Sequence, residues 1–198
     1  MISEEQKMEN VELVMKLIET IPPARADKIT EMFKEIGEEY FTAPASSREE
    51  FHNAFPGGLC AHSLNVVKYL WRLQKDLCPD KWPNHRLTFV GLFHDLGKIG
   101  VDGKPRYIPN DNAWQRTEWG KIYKTNPKMP FMTIDDATSF TLQQYGIILS
   151  HEEWLALRLA DGQYEAANKP YSMREPDLSL LLHWADMWAC RVEKSEAS

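Results

Sequence analysis

The chain has 198 residues, with 29 acidic against 23 basic side chains and a formal net charge of −6. This length suits one domain with a full hydrophobic core. The negative net charge disfavours a general nucleic-acid binder, because such binding depends largely on the neutralisation of phosphates. We therefore expect no long nucleic acid among the partners of this protein.

The sequence gives no sign of export or of membrane insertion. Its first ten residues, MISEEQKMEN, are acidic and lack an apolar signal core. No apolar stretch approaches the roughly 20 residues that cross a bilayer. The cysteines, Cys60, Cys78 and Cys190, are scattered without metal-type spacing, which is typical of reduced thiols. We expect a cytoplasmic protein that does not bind membranes.

Helical periodicity dominates the sequence, and strand-like alternation is nearly absent. A first helix begins after a capping box at Ser3 and stops at Pro22, and a second helix ends near Gly37. These two helices predict an N-terminal helical layer, residues 1–45, packed on a main domain of residues 46–198.

The main domain is predicted to be helical as well. Its helices are expected at about 59–77, 87–100, 134–145, 151–160 and 176–194. Residues 100–132 are rich in Pro, Gly, Asn and aromatic side chains, which indicates a long irregular excursion around one short helix near 114–123. The fold class that follows is all-α, a single-domain helical bundle with one long excursion.

The dipeptide His94-Asp95 lies inside the apolar run Leu87 to Gly100, LTFVGLFHDLGKIG. A helix that is apolar on nearly every face is a buried helix. A carboxylate at such a position is costly unless a cation or a metal neutralises it. The adjacent histidine favours the metal.

Two further residues with metal-ligand chemistry lie on apolar helix faces. His62 follows Leu59 by three residues and precedes Val66 by four, and Asp186 precedes Cys190 by four. A single inward histidine is more often a hydrogen-bonded core residue. Two histidines and two carboxylates from three helices are a different case, because the carboxylates would repel each other in a core without a cation. This N/O set suits Mn²⁺, Fe²⁺, Co²⁺, Ni²⁺ or Zn²⁺.

The stretches FPGGLCAHSLNV, GLFHDLGKIG and LLHWADMWAC carry a family resemblance. The order of His62, His94-Asp95 and Asp186 resembles the HD-domain metal-dependent phosphohydrolase superfamily over about residues 50–192. The resemblance implies an HD-type all-α fold and one divalent metal ion (Mn, Co, Ni, Fe, Zn or Mg) held by those four residues. It also implies hydrolysis of nucleotides, cyclic nucleotides or related phosphates.

The other site residues follow from position and charge. Lys98 lies three residues after Asp95, so it is expected to share the site; Asp95 and Lys98 are the predicted catalytic residues. The predicted substrate-binding residues are Lys98, Lys104, Arg106, His151 and Asp161. For the two-metal branches of the superfamily, the resemblance implies additional histidines in the middle of the chain. This chain offers only His151 there, although Asp135 and Asp161 could substitute, so a second metal is doubtful.

The expected function is metal-dependent hydrolysis of a small nucleotide, a nucleoside mono- or triphosphate. Two alternatives stay open. One is a phosphodiesterase that acts on cyclic nucleotides or short oligonucleotides, which is favoured by His151 and by the resemblance of the HDLGK form to phosphodiesterase branches of the superfamily. The other is a non-catalytic module that binds metal or nucleotide. Exposed aromatic side chains would permit a homodimer as well as a monomer.

Overall fold

The computed structural model describes residues 2–192 and shows a mostly helical chain. The expected helical fold is confirmed at this level. The elements are α1 Glu4–Ile18, α2 Pro23–Thr42, α3 Gly58–Leu77, α4 Asn84–Phe93, a 3-10 helix Leu96–Ile99, β1 Tyr107–Pro109, α5 Ala113–Trp119, β2 Tyr123–Thr125, α6 Ile134–Gln144, α7 His151–Arg158, 3-10 turns Gly162–Tyr164 and Ala166–Tyr171, and α8 Asp177–Arg191.

The core is built around α3 and α4, with α8 and α7 packed beside them. Leu87, Phe89 and Leu92 of α4 are fully buried, as expected for a helix that is apolar on all sides. Gly91 lets α4 approach α3 closely, because a Cβ at this position would lie 2.7 Å from Val67 Cγ2. The close packing fixes the end of α4, where His94 begins the candidate site.

The N-terminal helices α1 and α2 contribute Val14, Ile18, Ile29 and Tyr40 to the same core. The prediction that the second helix ends near Gly37 is wrong, since α2 continues to Thr42. The continuation is explained by Tyr40, which is fully buried and donates a hydrogen bond to Leu92 O at 2.8 Å. The domain boundary after residue 45 stays a prediction.

The predicted helix over 87–100 is not continuous. Helix α4 ends at Phe93, and the chain continues from Leu96 as a 3-10 helix. The break coincides with α6, because the backbone N–H of Gly97 donates to Thr138 Oγ1 at 2.8 Å. A long-range contact therefore redirects the chain beside Asp95.

The excursion contains a small antiparallel ribbon that the sequence did not predict. Strands β1 and β2 pair with Tyr107 opposite Thr125, and α5 lies between them. Helix α5 ends at Trp119 and is capped by Gly120, whose φ of +56° closes the helix, so the predicted end near 123 is wrong.

No helix among residues 2–192 combines the length and apolarity needed to cross a membrane. Helix α8 is described to Arg191. The predicted extension of this helix to residue 194 lies outside the described residues.

Candidate metal centre

Three helices bring the predicted metal ligands to one point. His62 lies on the buried face of α3, His94 caps the C-terminal end of α4 with Asp95 directly after it, and Asp186 lies on α8. Helix α3 packs against both α4 and α8, so the three stretches meet at a shared helical interface. The imidazoles are 1% exposed, and the side chains of Asp95 and Asp186 are 11% and 15% exposed.

The ligand atoms of these four side chains are close together. His62 Nε2 lies 3.2 Å from His94 Nε2, 3.5 Å from Asp95 Oδ2 and 3.0 Å from Asp186 Oδ1. His94 Nε2 lies 3.4 Å from Asp95 Oδ2 and 3.7 Å from Asp186 Oδ1. These five separations describe one compact cluster.

The separations fit ligation of a common ion. With metal–ligand bonds of about 2.1 Å, neighbouring ligands lie about 3.0 Å apart in an octahedron and about 3.4 Å apart in a tetrahedron. The hydrogen bond from His94 Nδ1 to Gly91 O at 2.9 Å leaves Nε2 as the ligand atom. The donor set therefore fits a divalent metal of the borderline class.

Lys98 is the nearest side-chain cation. Its Nζ lies 2.5 Å from Asp95 Oδ2 within the same turn of chain. Burial disfavours ionisation of both groups, but the mutual attraction outweighs it, so the pKa of Asp95 is lowered and the pKa of Lys98 is raised. Both groups are therefore charged at neutral pH.

The ionised state of the second carboxylate, Asp186, depends on the imidazoles of His62 and His94. Burial raises the pKa of Asp186, but hydrogen bonds from His62 and His94 outweigh this effect and hold the pKa well below its usual range. Burial also opposes protonation of His94, yet Asp95 and Asp186 raise its pKa to about 9. The charges of Asp95 and Asp186 are thus matched by those of Lys98 and His94.

The cluster opens into a cleft of about 600 Å³. Such a volume is within the range of pockets that hold small organic ligands. Asp95, Lys98 and Asp186 form part of its wall, and Asp161, which is a predicted substrate-binding residue, lies on the same wall. The other polar and aromatic residues that line the cleft are Ser46, Ser47, Glu50, Phe51, His52, Tyr107, Tyr164, His183, Cys190 and Arg191.

Three predicted substrate-binding residues do not line this cleft. Lys104 is exposed in a turn where its backbone pairs with Val101. Arg106 is 8% exposed and donates hydrogen bonds inward, to Gly97 O at 3.0 Å and Met132 O at 2.8 Å. Its side chain therefore ties the excursion to the 3-10 helix.

His151 is exposed in the first turn of α7, after the N-cap Ser150. The capping box fixes this turn, and the imidazole is not part of the cleft wall. Asp135, considered for a second metal, instead accepts a hydrogen bond from Arg158 at 3.1 Å. Of the residues considered for a second metal, Asp161 lies at the cleft, whereas His151 and Asp135 do not line it.

Sequence reasoning did not assign His52, Tyr107 or Cys190 to the site, although all three line the cleft. The spacing of four residues between Asp186 and Cys190 was a usable signal, because it places both on one face of α8. No local pattern could place His52, which lies in the loop between α2 and α3.

Comparisons of the chain with known protein families, with curated proteins and with solved structures give no match. The function must therefore be inferred from the chemistry of the cleft itself.

Proposed function

We propose that the protein is a metal-dependent phosphohydrolase of the HD-domain type that acts on a small nucleotide, a nucleoside mono- or triphosphate. The observation that carries the proposal is the convergence of two imidazoles and two carboxylates at the wall of an open cleft, where the imidazole nitrogens lie 3.0 to 3.7 Å from each other and from the carboxylate oxygens. A cytoplasmic location belongs to the same proposal.

A divalent ion held by His62, His94, Asp95 and Asp186 would supply Lewis-acid activation of a phosphoryl group and of water. Asp95 is ionised at neutral pH and faces the cleft, so its carboxylate can accept a hydrogen bond from the attacking water and orient it. The ammonium of Lys98 lies beside it and can offset the negative charge that develops on the phosphoryl oxygens.

The cleft favours a small substrate. Its volume of about 600 Å³ suits one nucleotide rather than a polymer. Tyr107 and Tyr164 on its wall offer aromatic surfaces on which a base can stack. The net charge of −6 also disfavours a polyanionic substrate.

The proposal is tested with a panel of nucleoside mono- and triphosphates, cyclic nucleotides and short RNA, each assayed with Mn²⁺, Co²⁺, Ni²⁺ or Mg²⁺. We expect hydrolysis of mononucleotides and no release of product from the diesters. Asp95→Ala should lower turnover by at least about 10³-fold, because a lost metal contact removes several kcal/mol of transition-state stabilisation.

The matched control is Asp111→Ala, which removes an exposed carboxylate that pairs with Lys124 on the excursion. This variant should retain full turnover and bound metal. Hydrolysis of diesters alone would replace the proposal with the phosphodiesterase alternative. Metal bound without any turnover across the panel would favour the non-catalytic module.

A further inference from the structure

A second group of ligand-type side chains adjoins the proposed metal centre. The Nε2 atom of His52 lies 3.4 Å from the Sγ atom of Cys190, and this Sγ lies 3.2 Å from Asp186 Oδ1. The ring centroids of His52 and His62 are 4.5 Å apart. One ligand atom each from His52, His62 and Cys190 falls within a mutual distance of 4.8 Å.

These separations fit a further ion. For a tetrahedral metal with bonds of about 2.3 Å to sulfur and about 2.1 Å to nitrogen or oxygen, a sulfur ligand lies about 3.6 Å from its neighbours. The observed distances of 3.4 Å and 3.2 Å around Cys190 Sγ are close to that value. The Asp186 carboxylate can serve both positions, as bridging carboxylates do in two-metal sites.

The surroundings of Cys190 differ from those of the other two cysteines. Cys60 belongs to the buried hydrophobic core, and Cys78 packs against the same core. Cys190 instead lines the cleft together with His52. An ion that enters the cleft can therefore reach both side chains.

We propose that His52, Cys190 and the bridging carboxylate of Asp186 form a second metal site that prefers a thiophilic ion such as Zn²⁺ or Co²⁺. The proposal rests on the proposed function only in that Asp186 is shared between the two sites. The thiol of Cys190 loses its proton to solvent when the metal–sulfur bond forms. The donor chemistry differs from that of the first site, which has nitrogen and oxygen ligands alone, so the two positions would select different ions.

The site is tested by adding Co²⁺ to the metal-free full chain, under anaerobic conditions with a reductant that contains no thiol. Binding is followed by a thiolate-to-cobalt charge-transfer band in the near ultraviolet and by the number of ions retained after dialysis. We expect about two ions per chain and a clear near-ultraviolet band in the unaltered protein.

Cys190→Ser should lose the band and retain one ion, and His52→Asn should also fall to one ion. The matched control Cys78→Ser should keep both ions and the band, because Cys78 packs against the hydrophobic core. A single ion in the unaltered protein, or a band that survives in Cys190→Ser, would overturn the second site.

Asp95→Ala separates this proposal from the proposed function. Asp95 belongs to the first site alone, so the variant should lose one ion and turnover but keep the thiolate band. A band together with no nucleotide turnover in the unaltered protein would contradict the hydrolase and leave the second site standing. Nucleotide turnover without a thiolate band would contradict the second site and leave the hydrolase standing.

Discussion

The cluster around Asp135 and the cluster of Asp95 and Asp186 neutralise their carboxylates in different ways. Asp135 on α6 is 3% exposed and pairs with Arg158, which also donates to Asn168 Oδ1 at 2.8 Å. Asn168 in turn donates to Gly162 O at 2.9 Å. Arg158 is the cation of this cluster, and the hydrogen bonds of the cluster continue through Asn168 to a backbone carbonyl.

The cluster of Asp95 and Asp186 is arranged differently. Among residues 2–192, Asp186 has no lysine or arginine partner and depends on two imidazoles. Its ligand atoms face a cleft, whereas Asp135 does not line that cleft. A buried carboxylate alone is therefore a poor indicator of a functional site. Convergence with imidazoles at an accessible wall is the informative feature.

The largest effect that distinguishes the clusters is expected from Asp135→Asn. The pKa of Asp135 is raised from 3.8 to about 7, first by burial and then by Asp161, against the opposing charge of Arg158. The folded protein therefore binds more protons than the unfolded chain between about pH 4 and pH 7, and its stability falls as pH rises through this window. The Asn variant should not show this pH-dependent loss of stability, which amounts to about 2 to 4 kcal/mol in the free energy of unfolding.

This prediction is checked by urea unfolding at several pH values between 4 and 8, with the unaltered protein measured in parallel. We expect Asp135→Asn to gain stability relative to the unaltered chain as pH rises, with turnover retained. Parallel pH curves for the two proteins would show that Asp135 is already ionised well below pH 7.

An effect of similar size is expected at Gly97, which holds the segment after Asp95 against α6. An added Cβ would lie 2.2 Å from Ile134 O and 2.9 Å from Ala137 Cβ. Because backbone cannot yield as a flexible side chain does, Gly97→Ala should lower the free energy of unfolding by about 3 kcal/mol. Denaturant unfolding at one pH measures this change.

The matched control is Gly37→Ala inside α2, where the nearest atom to the added Cβ is Phe33 Cβ at 3.5 Å. This distance is ordinary van der Waals contact, so the gain in helix propensity should raise stability by up to about 1 kcal/mol. Equal effects of the two substitutions would mean that α6 does not constrain Gly97.

Lys98→Met is expected to act on turnover rather than on stability of the fold. Removal of the ammonium should lower kcat about 10²-fold, as the loss of one charge-stabilising donor does in other enzymes. Bound metal should be retained, because the Lys98 ammonium no longer competes with the metal for the Asp95 carboxylate. Steady-state kinetics and metal content measure both effects. Loss of metal in Lys98→Met would instead assign Lys98 a role in holding the site together.

Lys104→Met serves as the control for this substitution. Lys104 is exposed and does not line the cleft, so turnover should stay within about twofold of the unaltered protein. A comparable loss in both variants would show that the excursion closes onto the substrate during turnover.

The convergence of His62, His94, Asp95 and Asp186 could be predicted from the sequence because helical spacing reports which face is buried. His62 and Asp186 lie in regular helices, where apolar neighbours three and four residues away fix their direction. His94 and Asp95 were identifiable from the apolar run around them. The helical character of the chain followed from the same periodicity.

The remaining features depend on contacts between distant segments. The helix break after Phe93 is set by α6, more than 40 residues later, through the Gly97 and Thr138 hydrogen bond. The inward direction of Arg106 depends on carbonyls at Gly97 and Met132. Local periodicity holds no information on such partners. The sequence therefore predicts a substrate contact for Arg106, whereas the structure shows hydrogen bonds from Arg106 to the backbone.

The most direct measurement is a crystal structure of the protein soaked with Mn²⁺, with anomalous scattering used to locate the ion. We expect one peak about 2.2 Å from His62 Nε2, His94 Nε2 and the carboxylates of Asp95 and Asp186. A map without a peak there, with the Lys98 ammonium in its place between the two carboxylates, would contradict the proposed metal centre.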